Sequence, residues 1–198
     1  MRLRPVIVVL AAGRRRRSEG LGHPLLQPFL DSTVLGTTVR HAVETQLQVV
    51  VVAAAELVPM LSQQLAARDI IALGESTVAK GVGHAIAAGV AERSGAPGWL
   101  LLPGHMPLVR PASLLAVAKS LEHHPVVHAD HKGRRGYPVA FAAELYSELV
   151  MLSADDDASR LLTRYPAHIE DVADPGVVLS IDTAADLAQM RRLAAHSL

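Results

Sequence analysis

The chain predicts an α/β fold, a mostly parallel sheet with helices on both faces, and three observations predict it. Short runs rich in β-branched residues, such as "VIVVL" and "VVVVA", alternate with Ala- and Leu-rich stretches of helical period. These runs are apolar throughout instead of alternating with polar residues, as a strand covered on both faces requires. Half of the 198 residues are hydrophobic, with no repeat, linker or composition break, so a single domain with a full core is expected over 1–198.

Taken in order, the strands are expected at 6–10, 49–53, 70–73, 99–102, 126–129 and 138–141, each a short apolar run flanked by turn-forming residues. The helices are expected at 34–46, 58–68, 82–92, 111–121, 142–150 and 158–164, where apolar positions recur at helical spacing. A short strand at 177–181 and a last helix at 184–195 complete the chain. The opening "MRLRPVIVVLAAG" has the arginines and apolar run of a short signal peptide, but the run is brief and four arginines follow it. It is read as the first strand. The stretch "SADDD" at 153–157 reads as a helix start, its carboxylates near the positive end of the dipole.

Composition narrows the partners. Lys and Arg number 19 against 19 Asp and Glu, so no overall field draws the chain to nucleic acid or to a membrane surface. No apolar stretch approaches the roughly 20 residues of a membrane span; the longest candidate, 49–55, stops at Glu56. The absence of cysteine excludes disulfides, thiolate metal sites and a cysteine nucleophile, and is compatible with a cytoplasmic location.

In open parallel sheets ligands bind beyond the carboxyl ends of the strands, which selects 11–17, 74–83, 103–107 and 131–136. In "LAAGRRRRSEG", Leu10, Ala11, Ala12 and Gly13 let a ligand approach the backbone, and Arg14 to Arg17 offer guanidinium forks suited to phosphate oxygens. A solvated basic loop would use the same residues. Gly81 and Gly83 precede an Ala-rich helix whose first amides suit an anion or a base edge, although neither a dinucleotide fingerprint nor a P-loop is present. A simple loop-to-helix turn is the other reading. His123, His124, His128 and His131 crowd one region, but lack the helical pairing of a metal site and read better as loop and strand-edge histidines. "HKGRRG" at 131–136 is expected as a polar loop. In "SIDTAADL", Asp182 or Thr183 would serve as an N-cap, or Asp182 would be a carboxylate held for a divalent cation.

Together these stretches resemble the MobA-like NTP transferases, the cytidylyl and guanylyl transferases that act on molybdopterin. The first strand and loop carry Leu10, Ala11, Ala12, Gly13 and Arg17 of the family's L-A-A-G-x-S-x-R pattern, followed by "PLLQPF". Gly81 and Gly83 match its G-x-G before a helix, "LLPGHMPLV" its L-A-D-M-P-L-V, "RGYPVAF" its R-G-H-P-V-x-F, and "SIDTAADL" its D-x-D-T-P-x-D-L. The resemblance implies a Rossmann-like three-layer sandwich of the nucleotide-diphospho-sugar transferase type. It also implies transfer of a nucleoside monophosphate from CTP or GTP to a molybdopterin-type phosphate, with release of pyrophosphate. Leu10, Ala11, Ala12, Gly13, Arg14, Arg17, Gly81, Gly83, His84 and Gly104 would hold the nucleotide, Arg17 and Asp182 would be catalytic, and His105 with Asp182 would hold Mg2+ or Mn2+. A molybdoenzyme is the expected protein partner.

The sequence departs from that pattern at its charged positions. The family's lysine falls on His23 or Pro24, its loop serine on Arg15, its D-M-P aspartate on His105, the serine-like position after G-x-G on His84, and the first acid of D-x-D-T on Ser180. Imidazole in place of carboxylate removes a raw attraction of order 4 kcal/mol per unit charge of the metal ion, at 4 Å in an effective dielectric of 20. Such a site suits manganese better than magnesium, with Arg14 to Arg17 supplying compensating positive charge. A catalytically impaired nucleotide- or cofactor-binding accessory protein is the alternative expectation.

Overall fold

The computed structural model describes residues 4–12, 23–153, 161 and 163–195. Gly13, the arginines 14–17, most of "SADDD" and most of the helix expected at 158–164 lie outside the described residues. A seven-stranded sheet runs in the order β5-β4-β1-β6-β8-β7-β9. Its strands are β1 (Val6–Ala11), β4 (Gln48–Ala54), β5 (Ile70–Leu73), β6 (Gly98–Pro103), β7 (Val126–His131), β8 (Arg134–Ala142) and β9 (His168–Asp171). A two-stranded ribbon, β2 (Pro28–Phe29) and β3 (Ser32–Thr33), precedes the first helix. β1 pairs in parallel with β4 and β6, with Ile7 opposite Val49 and Leu100. This seven-stranded, mostly parallel α/β sheet is the fold the sequence predicts.

Why these strands are apolar on both faces is plain from their packing. Along β1, Ile7, Val9 and Ala11 enter one core, shared with α1 (Val34–Glu44), α5 (Pro111–Ser120) and α7 (Ala184–Ala195). Val6 and Val8 enter the other, shared with α4 (Val82–Glu92) and α6 (Tyr146–Val150). The period-two alternation of Cβ therefore feeds two helical layers from one strand. Val6 to Val9 are all under 2% exposed, and burial of each contributes roughly 1.5–3 kcal/mol.

Several boundaries differ from the expectations, each for a local reason. The helix expected at 58–68 shrinks to α2 (Val58–Leu61), where the Ser62 hydroxyl donates to Val58 O at 2.9 Å and the chain turns away. The segment 142–150 opens as a 3-10 turn, Ala143–Leu145, before α6. The strand expected at 177–181 is instead a 3-10 turn, Pro175–Val178, since Pro175 brings no N–H to a ladder and Asp174 caps Gly176 N at 2.9 Å. The polar "HKGRRG" is no loop: His131 closes β7, Arg134 opens β8, and the Asp130 carboxylate accepts the Gly133 N–H at 2.7 Å. β8 runs antiparallel between β6 and β7. The short α3 (Glu75–Val78), the ribbon strands β2 and β3 and the edge strand β9 have no counterpart among the expected elements.

Candidate nucleotide site at the strand ends

At the carboxyl end of β1, Leu10, Ala11 and Ala12 end the strand, and the turn after β6 sits directly on them. Gly104 donates its N–H to Leu10 O at 2.9 Å. A Cβ on Gly104 would lie 2.9 Å from Leu35 Cδ1 and 3.2 Å from Leu10 O, so the close approach depends on glycine. The buried Thr38 hydroxyl on α1 lies 3.0 Å from Gly104 O and 3.1 Å from Val34 O, pinning the turn from beneath. Thr38 is a positioning residue that sequence reasoning missed; only its place on the apolar face of α1 could have marked it.

His105 follows this turn, half-buried. Its carbonyl accepts the Ile181 N–H at 3.0 Å, which brings the segment carrying Asp182 beside the β6 turn. The choice between cap and carboxylate in "SIDTAADL" resolves. Thr183 is the cap: its Oγ1 accepts the Asp186 N–H at 3.1 Å, and Asp186 Oδ2 accepts the Thr183 N–H at 2.8 Å, a reciprocal capping box. The Thr183 hydroxyl and the neighbouring backbone N–H groups hold the Asp186 carboxyl below its ordinary range. Asp182 is left outside the box, exposed, accepting a hydrogen bond from Ser180 Oγ at 2.7 Å.

On the opposite face, β5 ends at Leu73 and the chain crosses through α3 to α4, so α4 starts at the same end of the sheet. Gly81 is its N-cap with φ of 118°, a conformation that L side chains rarely adopt, and it has no side chain to take up the first-turn amides. Gly83 is buried in the first turn. His84 is half-buried and its Nδ1, shielded from solvent, has no hydrogen-bond partner among the described residues. Three of the selected segments thus lie at one end of the sheet, while the arginine loop that follows β1, with Gly13, Arg14 and Arg17, lies outside the described residues.

The position that the resemblance gives to a lysine is occupied otherwise. His23 Nδ1 accepts the Leu25 N–H at 3.2 Å, capping the 3-10 turn Pro24–Leu26, and its Nε2 lies 3.5 Å from Glu56 Oε1. Pro24 is the first residue of that turn. The crowded histidines disperse: His124 stacks on His168 at 3.9 Å, His131 Nδ1 bonds Val172 O at 2.8 Å, and His128 is buried in β7.

The donor set fits magnesium poorly. No group of three His, Cys, Asp or Glu side chains that could hold a metal occurs among the described residues. His105 and Asp182 bring one imidazole and one exposed carboxylate, softer and fewer than the oxygen ligands magnesium prefers.

The sequence model of the MobA-like NTP transferase domain matches residues 7–171. The chain belongs to that family. A search of curated proteins finds no match. Among solved structures, this MobA-like chain shares its fold with Mycobacterium tuberculosis Rv0371c, crystallised with manganese. The two are 22% identical over 96% of this chain and 98% of that one, with a TM-score of 0.76. A nucleotidyl transferase from Methanothermobacter is 22% identical over 98% of each chain, with a TM-score of 0.79. Molybdopterin-guanine dinucleotide biosynthesis protein A from Archaeoglobus fulgidus is 18% identical over 96% of this chain and 99% of that chain, with a TM-score of 0.68.

Proposed function

We propose that this chain transfers a nucleoside monophosphate from CTP or GTP to the terminal phosphate of a molybdopterin-type acceptor. An acceptor phosphate oxygen attacks the α-phosphorus, a P–O bond forms, the α–β P–O bond breaks, and pyrophosphate leaves. The observation that carries this reading is the junction at the strand ends. Gly104 N–H on Leu10 O and Ile181 N–H on His105 O set β1, the β6 turn and Asp182 around one place. Phosphoryl transfer of this kind depends on positioning and on neutralising charge. Leu10, Ala11, Ala12, Gly13, Gly81, Gly83, His84 and Gly104 would cradle the nucleotide, Arg14 and Arg17 would neutralise the triphosphate, and Asp182 with His105 would hold a divalent ion, manganese better than magnesium. A molybdoenzyme would receive the product, in the cytoplasm. Among the described residues no helix is long and apolar enough to cross a membrane.

The donor set supports a second reading, an accessory protein that binds nucleotide without turning it over. Its basis is the imidazole of His105 and the capping duty of His23 where a mobile ammonium is expected. Pyrophosphate release, measured with CTP and GTP, a molybdopterin acceptor and either Mg2+ or Mn2+, separates the two. Turnover, faster with manganese, supports the transferase. Saturable binding by calorimetry without product supports the accessory protein, and no nucleotide binding overturns both.

A further inference from the structure

We propose that the cleft between α1, α7 and the turn Pro175–Val178 is a second ligand site, for a small amphipathic anion with an apolar body and one carboxylate or phosphate head. The cleft encloses about 490 Å³, within the range of small-molecule sites, and none of Leu10, Ala11, Gly81, Gly83, His105 or Asp182 lines it. Its walls are chiefly aliphatic, with Leu108, Pro175 and Leu179 inside. Leu30 and Leu193 stand on the rim, 46% and 42% exposed.

The head group is assigned by Arg110, which also lines the cleft. Its side chain is 59% exposed, and its one ion contact among the described residues is loose, Nε to Asp174 Oδ1 at 3.9 Å. Asp174 competes weakly for that guanidinium because its carboxylate is already occupied. Oδ2 accepts the Arg110 N–H at 2.9 Å and Ser113 Oγ at 2.7 Å, and Oδ1 accepts the Gly176 N–H at 2.9 Å. The guanidinium makes no hydrogen bond to the described residues, so its planar fork of donors stands at the mouth of an apolar cleft. His41, whose Nδ1–H donates to Val109 O at 2.9 Å, lines the same cleft without adding negative charge. Asp174 also lines the cleft, but it is only 3% exposed and its oxygens already accept three hydrogen bonds, so the aliphatic lining beside a guanidinium with unused donors selects an amphiphile of negative charge over a neutral or cationic one.

Octanoate and 1-octanol serve as probes on the full chain, by calorimetry and by chemical-shift mapping of the leucine methyls. Saturable octanoate binding that moves the Leu179 and Leu193 methyls is expected. Arg110→Gln, which keeps the backbone N–H bonded to Asp174, should weaken octanoate about tenfold or more and leave octanol unchanged, the loss expected for one charge-assisted contact. Leu193→Asp, on an exposed helix face, should weaken both. The proposal fails if octanoate does not saturate, or if Arg110→Gln binds it as tightly as the parent chain. It fails equally if sedimentation shows a dimer that Leu193→Asp dissociates, since a second copy would then fill the cleft. None of these readouts depends on nucleotide transfer, so their failure leaves the proposed function standing.

Discussion

Gly104 and Thr38 carry a share of the site out of proportion to their size. A methyl group at Gly104 would press on Leu35, itself fully buried, and on a backbone oxygen that cannot swing aside. Gly104→Ala should therefore lose about 1–3 kcal/mol of stability, visible as a lower urea midpoint at unchanged slope; an unchanged midpoint would show that the turn can retreat from β1. His128 gives a pH prediction. Burial first, and then the charge of Arg135, hold its imidazolium pKa below the ordinary value, while a hydrogen bond to the Gly136 backbone pushes the other way. The folded pKa lies below 6.5, so as pH falls through that value the unfolded chain binds the proton first. Stability is complete above about pH 6.5 and declines towards the lower folded pKa, by at most about 1.4 kcal/mol per pH unit for one proton. Urea titrations at pH 7.5 and 5.5 should differ less in His128→Leu than in the parent chain. Equal differences in the two would remove His128 from the acid response.

Among the elements, the start of α7 sets a capping box beside a candidate site residue. Thr183 and Asp186 close the capping box, whereas Asp182 lies just outside it. Thr183→Ala should cost about 1 kcal/mol of stability, the usual loss for a hydroxyl cap. Asp182→Asn should leave stability within about 0.5 kcal/mol, as for an exposed residue without a structural duty, while lowering any nucleotide-dependent turnover. Thermal melts of the two variants check the pair, and a large loss in Asp182→Asn would reassign Asp182 to the cap. The final helix was legible at 184–195 because a hydroxyl, a carboxylate three residues on and an apolar stripe together signal its start. Its neighbour, the turn at 175–178, displaces the strand that the valines suggest at 177–181, because "DPG" just before them carries the opposite signal.

For the whole molecule, a ligand that binds only the folded state must raise its stability, by about 2.7 kcal/mol at a hundred times its Kd. For a chain of this length that is a melting shift of about 5–10 °C. CTP or GTP with manganese should give a larger shift than with magnesium, and His105→Asp should reverse that order. No shift with any combination would count against a nucleotide site of either kind. The parallel half of the sheet was legible because strands buried on both faces must be apolar throughout, as "VIVVL" and "VVVVA" are. The other half was less so. Nothing in "PVAF" states that β8 runs antiparallel, since pairing direction leaves no trace in residue type, and the polar "HIED" of β9 reflects an edge only half-covered. The candidate site residues are legible only through motif resemblance and chain position. Their meeting depends on main-chain contacts, Gly104 to Leu10 and Ile181 to His105, which no side-chain pattern encodes.

The bond from Ile181 to His105 is made by a carbonyl group, and every amino acid has one. That bond therefore does not depend on which side chain position 105 displays, and under the proposed function it is that side chain that would set the metal preference. A saturation library at His105 should consequently stay mostly folded while its members diverge in metal preference.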